Sequence, residues 1–434
     1  MRLAIITSHP VQYNGPWFRW LAERGTGPGS ALPIPDAPIS IRVFYLWDGG
    51  ANERFDPGFA LRFKWDVPLL DGYACEFVPN RARRPGPGHI LGLDNPRLAD
   101  RVEAFEPDAV LLFGYNYLAH YRFIFSRVGR SVPLLLRGDS RLRGEAEIAE
   151  RRRERGAAGR ALRSRLSARP FLRRLWISSV FRRFAAFLYV GRANRDYFTY
   201  HGVPEHKLFF SPHAVDKDRF FGQAAEARLQ AAAWRQELGI PGSHRVVLFA
   251  GKFEPKKRPA DLMAAFEQAQ LKDATLLFVG GGELEGELRG KAERLKTEML
   301  KTESRGAAQI VFAPFQNQTQ MPRTYAAADL FVLPSVGREE TWGLAVNEAM
   351  CMARPIIVSD NVGCAQDLVH PGRNGLVFPA GDVPALADAL REAFSDPERL
   401  RSWGAASREI VQDYTYEQAT KGLAQALEGV KRGR

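Results

Sequence analysis

Two carboxylates eight residues apart, Glu340 and Glu348, bracket the point where an apolar run gives way to a helical pattern. The run, Leu330-Phe331-Val332-Leu333-Pro334-Ser335, reads as a buried parallel strand, and the pattern from Trp342 to Met352 as a helix. In an open α/β sheet ligands sit at the carboxyl ends of strands, because free helix N–H groups and the macrodipole face that crevice. An anion on the amides of Trp342, Gly343 and Leu344 would repel nearby carboxylates unless these accepted hydrogen bonds from hydroxyls. Glu348 lies about 7.5 Å along the helix axis from Gly343, comparable to the span from a diphosphate to a ribose. An anion flanked by two hydroxyl-rich groups describes a nucleotide sugar. Acidic residues at a helix start also serve as dipole-compensating caps, so the neighbouring loops must decide.

The strand Arg245–Ala250 runs into Gly251-Lys252-Phe253-Glu254-Pro255-Lys256-Lys257-Arg258-Pro259. Gly251 permits a sharp turn, and Lys252 and Lys257 are compact point charges suited to phosphate. A departing diphosphate gains charge as its bond to the sugar breaks, so fixed cations there stabilise the transition state most. The strand Thr275–Val279 ends in Gly280-Gly281-Gly282, where a ligand could approach the backbone closely; a plain tight turn would use the same letters. The first strand is followed by the polar loop His9-Pro10-Val11-Gln12-Tyr13-Asn14-Gly15, an acceptor or phosphate contact or a simple loop cap. Asp139 follows the strand Pro133–Leu136 and is aimed at a cleft. No metal-ligand spacing is found: Asp216-Lys217-Asp218 has the letters of an acidic motif but lies between domains beside Arg219. No metal and no cofactor are expected.

Strand-length apolar runs alternate with helix-length segments through the whole chain. In the N-terminal half they are Leu3–Thr7, Ile41–Leu46, Ala109–Phe113, Pro133–Leu136, Phe187–Val190 and Leu208–Ser211. The C-terminal half adds Arg245–Ala250, Thr275–Val279, Ile310–Ala313, Leu330–Leu333, Pro355–Ser359 and Leu376–Phe378. The expected fold is α/β, with two doubly wound parallel-sheet (Rossmann-like) domains facing across a cleft. The N-terminal acceptor domain spans 1–212, the C-terminal donor domain 213–415, and a terminal helix 416–434 packs back toward the first. At 434 residues with 45% hydrophobic content, the chain has room for two such cores. Three cysteines, Cys75, Cys351 and Cys364, are too few and too scattered for a disulfide framework and point to a reducing compartment.

The net charge of +12 is concentrated: residues 141–183 hold fourteen Arg against four Glu, a net +10. Leu162, Leu166, Phe171, Leu172, Leu175, Trp176, Ile177 and Phe181 are interleaved with them, as in interfacial helices. An anionic membrane surface is the expected partner, and a solvated helical excursion whose apolar residues pack on their own domain is the alternative; nucleic acid would explain the cluster but not the glutamate pair.

Together these residues resemble glycosyltransferase family 4, retaining enzymes of the GT-B fold that use nucleotide-sugar donors. The resemblance covers roughly residues 185–420 and rests on several quoted elements. They are Gly251–Lys257, Val279-Gly280-Gly281-Gly282, Tyr325-Ala326-Ala327-Ala328-Asp329, the Glu340…Glu348 pair, Arg354-Pro355-Ile356-Ile357-Val358-Ser359-Asp360 and Gly372-Arg373-Asn374-Gly375-Leu376. It implies that Glu348 binds the ribose hydroxyls and Glu340 the transferred sugar. Lys252 and Lys257 would hold the diphosphate with the amides near Gly343 and Leu344, and Gly251, Gly280 and Gly282 would line the donor site. Lys252 stands where the family usually has Arg, and His9–Trp17 replaces its glycine-pair loop. The implied activity is metal-independent, retaining transfer of a sugar to an acceptor hydroxyl; from the cysteines and the Arg-rich stretch the expected location is cytoplasmic, with the inner face of the membrane as a peripheral contact. The acceptor would be a glycan or a lipid-linked glycan. A GT-B epimerase or hydrolase is the alternative within the fold. Lys64-Trp65-Asp66-Val67-Pro68-Leu69-Leu70-Asp71-Gly72-Tyr73 is a subgroup feature that this reading leaves without a role.

Overall fold

The computed structural model describes residues 1–24, 39–142, 160–301, 308–337 and 340–432, which fall into two compact units. Unit 1 comprises Met1–Asn52, Pro68–His213 and Tyr416–Arg434; unit 2 comprises Glu53–Val67 and Ala214–Thr415.

Unit 1 carries strands β1 (Arg2–Thr7) and β2 (Ser40–Tyr45) before the chain leaves it through β3 (Arg54–Asp56) and β4 (Leu61–Phe63). It continues with β5 (Ala74–Phe77), β6 (Ala109–Phe113), β7 (Leu134–Gly138), β8 (Ala186–Tyr189) and β9 (Leu208–Phe210). These form one seven-stranded sheet in the order β5-β2-β1-β6-β7-β8-β9, with every pairing parallel. Parallel strands are covered on both faces, which is why Leu3 to Ile6 and Val110 to Leu112 are apolar without alternation and wholly buried. One face packs on Phe44, Phe123, Phe181 and Phe187, the other on Trp17, Phe18, Tyr45 and Leu423. Helix α1 (Asn14–Arg24) follows β1, and helix α2 (Arg160–Phe181) precedes β8. Residues 143–159 of the Arg-rich stretch lie outside the described residues.

The terminal helix Tyr416–Arg432 belongs to unit 1. Trp17 Nε1 donates to Thr420 Oγ1 at 3.0 Å, Ser211 Oγ donates to the Ala419 carbonyl at 2.8 Å, and Leu423 and Leu427 join the core.

Unit 2 contains β10 (Arg245–Lys252), β11 (Ala274–Gly281), β12 (Gln309–Ala313), β13 (Leu330–Leu333), β14 (Ile356–Ser359) and β15 (Gly375–Phe378). Their order, β12-β11-β10-β13-β14-β15, is again all parallel, and the strand order reverses between β10 and β13. Helix α3 (Leu344–Cys351) follows β13. It is shorter than the Trp342–Met352 segment expected, because Gly343 turns into it with φ 101° and Met352 leaves helical geometry.

The pair β3–β4 is antiparallel and departs from an uninterrupted 1–212 unit. Phe59 and Phe63 pack on Phe315 with ring centroids 4.6 and 4.5 Å apart, and Trp65 packs on Phe63 at 4.9 Å. Asn317 Nδ2 donates to the Lys64 carbonyl at 2.7 Å, and Thr319 N donates to Asp66 at 3.1 Å. From Pro68 onward the chain is back in unit 1, where Arg19 donates to the carbonyls of Pro68 and Asp71, and Tyr73 donates to that of Leu69. Residues 64–73 are thus a crossing, the first half anchored in one unit and the second half in the other.

Unit 1 also buries uncharged histidines. His120 is fully buried, and burial pushes its pKa down to about 3; among the described residues neither ring nitrogen has a hydrogen-bond partner. Burial, with the charges of Arg173 and Arg174, lowers His201 to about 4. The unfolded chain therefore binds more protons than the folded one below the ordinary histidine pKa. The stability in question is fully present above about pH 6.5 and is lost as pH falls toward 4, at about 1.4 kcal/mol per pH unit for each histidine. Unfolding measured at pH 7, 6 and 5 should show this decline. His120→Leu should flatten it by one proton's worth, and an unchanged slope would mean that His120 titrates normally in the folded state.

Candidate functional site

The reversal of strand order between β10 and β13 is where an open sheet leaves a crevice at its carboxyl edge. Both loops that open there carry the residues singled out by chemistry. After β10, Pro255–Lys257 makes a single 3-10 turn, and the Lys256 carbonyl accepts from Val336 N at 2.8 Å, tying this loop to the one after β13. The tie brings Lys257 to Glu340: the ammonium hydrogen-bonds the Glu340 carboxylate, which also accepts from Ser335 Oγ at 2.9 Å. Glu340 is 9% exposed, so its charge is compensated at close range by a cation and a hydroxyl.

Beyond Glu340 the chain is fixed by Trp342, whose Nε1 donates to Asn347 Oδ1 at 2.8 Å. Gly343 then takes its left-handed turn against Val362 and Leu333; a Cβ there would lie 2.9 Å from Val362 Cγ1. Leu344 opens α3, so its N–H belongs to the helical turn that lacks intrahelical acceptors. One turn further in, Glu348 is 2% exposed. It accepts from Tyr325 OH at 2.7 Å and from Gln318 Nε2 at 3.3 Å. Arg219 holds Gln318 in turn, donating to its carbonyl and its Oε1 at 2.5 and 2.8 Å. The Tyr325 and Gln318 donors fix the Glu348 carboxylate in place beside the start of α3.

Lys252 sits at the end of β10 and is bound by the β3–β4 hairpin, its Nζ 2.9 Å from Asp56 Oδ1. Burial alone would raise the Asp56 carboxyl, but the Lys252 ammonium and the amides of Phe59 and Gly58 hold it below the usual carboxylate range. The glycine run is tightly packed on the side that a Cβ would take. At Gly280 a Cβ would meet the Gly251 carbonyl oxygen at 2.0 Å, and at Gly282 the Gly58 carbonyl oxygen at 2.8 Å. The close approach to this backbone is made by the protein's own neighbouring strand and hairpin.

Asp216 is spent on structure, its side chain accepting from Arg219 N at 3.2 Å as a helix N-cap.

In unit 1, Asp139 follows β7 and lies 3.8 Å from His213 Nε2. Burial lowers the His213 pKa, and Asp139 opposes that shift. Arg137, two residues earlier, is buried over the Trp17 ring at 4.7 Å and donates to Ser211 and to the Pro212 carbonyl; burial pushes its pKa down to about 9. His9 hydrogen-bonds Ser8 Oγ at 2.9 Å and meets Trp47 edge-on at 5.6 Å. Gln12 is partly buried in the same loop, whereas Gly15 is packed against the Leu69 carbonyl, which would lie 2.5 Å from a Cβ.

Sequence reasoning missed Asp56, Phe59, Gln318 and Ser335 at this site. Asp56-Pro57-Gly58 does carry a turn signature, which identifies a turn without revealing what it packs on.

Residues 230–410 match the family model for glycosyl transferases group 1, a span of less than half the chain. The D-inositol 3-phosphate glycosyltransferase of Rhodococcus jostii is 31% identical over 199 residues, 45% of this chain and 42% of that protein. The GDP-mannose-dependent alpha-(1-6)-phosphatidylinositol monomannoside mannosyltransferase of Mycolicibacterium smegmatis is 28% identical over 255 residues, 57% of this chain and 63% of that one. The chain thus spans less than two thirds of these relatives' lengths. Among solved structures, the sucrose-phosphate synthase of Thermosynechococcus elongatus superposes with a TM-score of 0.64 at 19% identity, covering 100% of both chains. Anabaena HepE in complex with UDP and glucose gives 0.62 at 18% identity, covering 99% of each. At such identities the likeness speaks for the fold, and the fold of this chain is GT-B, two doubly wound parallel-sheet units.

Proposed function

We propose that this protein is a glycosyltransferase that moves a sugar from a nucleotide diphosphate donor to an acceptor hydroxyl with retention of configuration. The observation that carries the reading is the grouping in unit 2 of Lys257 with Glu340 and of α3 with the buried Glu348. In this reading Glu348 takes the ribose hydroxyls, the start of α3 and the lysines take the diphosphate, and Glu340 takes hydroxyls of the transferred sugar. As the sugar–phosphate bond breaks, Lys257, Lys252 and the amides of Gly343 and Leu344 meet the growing charge. The acceptor hydroxyl attacks from the face the diphosphate leaves, and the departing phosphate takes its proton. Asp139, His9 and Gln12 are the acceptor-side candidates. The named activities of the relatives, on inositol phosphate and phosphatidylinositol mannoside, favour a glycan or lipid-linked acceptor over nucleic acid, and transfer over epimerisation or hydrolysis.

Incubation with a panel of nucleotide sugars and analysis of the products tests this directly. Sugar transfer is expected, and EDTA should leave its rate unchanged because fixed cations fill the role a metal ion would otherwise take. Activity that vanishes with chelator and returns with manganese would reject the metal-free mechanism; a panel with no transfer product would reject the activity.

The acceptor reaches the protein, in this reading, at an anionic membrane on the cytoplasmic side. No helix of the described residues is long and apolar enough to cross a membrane. Support for a surface contact comes from α2, where Phe171, Leu172, Leu175 and Trp176 are each at least half exposed and share one helical face. Ile177, Val180 and Phe181 anchor the same helix in the unit 1 core. Basic residues near an anionic leaflet contribute about 1 kcal/mol each. Co-sedimentation with phosphatidylserine-containing vesicles is expected at low salt and should weaken at high salt. Replacing Leu175 and Trp176 with Ser should abolish it, and a variant that binds as wild type does would sink the contact.

A further inference from the structure

The hairpin 53–67 is the part of unit 2 that the donor-site reading leaves idle. It comes from the N-terminal half of the chain, yet its turn lies against the glycine run and the lysine that close the β10 and β11 loops. Asp56 Oδ1 accepts from Gly58 N at 2.8 Å and from Phe59 N at 3.1 Å, so backbone amides fix the carboxylate independently of any lysine. Lys252 Nζ meets that carboxylate at 2.9 Å and lies 5.1 Å from the centroid of the Phe59 ring. Gly58 adds a steric limit, since a Cβ on it would lie 2.6 Å from Lys252 Cδ and 2.8 Å from Nζ. The hairpin is itself anchored, through Phe59, Phe63 and Phe315 and through Asp66 to Thr319.

We propose that Asp56 is a positioning residue for Lys252, and that the hairpin 53–67 is a fixed wall of the donor site which holds this ammonium toward the diphosphate. The proposal rests on the assignment of Lys252 as a diphosphate contact made above. A lysine at the end of a strand has four rotatable bonds, and ordering it at the moment of binding weakens the contact it makes. Asp56 and the Phe59 ring order it beforehand. An ammonium has three N–H donors, and the Lys252 side chain remains 32% exposed, so a carboxylate and a phosphate oxygen can be held together. The pair also fits a chain with Lys at this position: a monodentate cation needs a support that a guanidinium fork supplies through its own planarity.

Calorimetry on the full chain decides, using whichever of UDP, GDP, ADP and dTDP binds, beside the corresponding nucleoside without phosphate. Asp56→Asn should weaken the diphosphate by roughly fivefold, the scale of one partly exposed ion pair, and leave the nucleoside unchanged. Lys252→Met should weaken the diphosphate at least as much, and adding Asp56→Asn to it should do nothing more. Gly58→Ala, whose Cβ would crowd Lys252 and the Glu254 carboxylate without removing a charge, should also weaken the diphosphate and leave the nucleoside unchanged. If Lys252→Met weakens the diphosphate while Asp56→Asn leaves it unchanged or tightens it, Asp56 is a bystander or a competitor, and the proposal is overturned. Equal loss of nucleoside and diphosphate in Asp56→Asn would also overturn it, by showing general loosening of the unit. If Lys252→Met has no effect, or no diphosphate binds, the fault lies in the donor-site assignment itself.

Discussion

Lys257→Ala should cost this protein stability and turnover together, and the two losses should separate in a double variant. The Lys257 ammonium is the charged partner of Glu340, with side-chain exposures of 21% and 11%. Its removal leaves the carboxylate with the Ser335 hydroxyl and little water. Breaking a fully buried pair this way costs 3–5 kcal/mol, so this partly exposed one should cost about 2–3 kcal/mol. Turnover should fall roughly a hundredfold or more, because a preorganised cation is lost where charge develops. Lys257→Ala with Glu340→Gln removes the uncompensated charge, so the melting temperature should recover while turnover does not. Recovery of turnover as well would show that turnover needs neither the lysine nor the Glu340 carboxylate.

The two glutamates should divide binding from catalysis. Glu348→Gln should weaken the bare nucleoside diphosphate by roughly 10- to 150-fold, the equivalent of losing charged hydrogen bonds worth 1.5–3 kcal/mol. The Tyr325 hydroxyl can still donate to the amide oxygen, which limits the structural damage. Glu340→Ala should behave differently. It releases Lys257 from its carboxylate, so affinity for the bare diphosphate should hold or rise, while turnover falls because the transferred sugar loses its acceptor. Calorimetry with the diphosphate, set beside initial rates, reads both numbers. Equal affinity losses in the two variants would reverse or merge the assigned roles.

Much of this was legible in the residues alone. All twelve apolar runs became strands, within about two residues at each end, because a strand buried on both faces must be apolar throughout and so announces itself locally. The spacing of Glu340, Gly343 and Glu348 was legible for a similar reason: they share one short loop and helix, whose geometry local sequence sets. The short strands β3, β4 and β5 were not, since Arg54, Asp56, Arg62 and Glu76 interrupt any apolar run and their faces are largely open to solvent.

What tertiary structure decided were the pairings between residues remote in the chain. Asp56 and Lys252 are 196 residues apart, and nothing in either neighbourhood selects the other. The same holds for Trp17 and Thr420, and for Glu348 with its partners Tyr325 and Gln318. The motif around Trp65 and Tyr73 had no readable role because its two halves answer to different units. Composition and periodicity report which face of an element is buried, through the hydrophobic effect. They do not report which donor meets which acceptor: hydrogen bonds and ion pairs are directional and short-ranged, and their geometry exists only once the sheets have assembled.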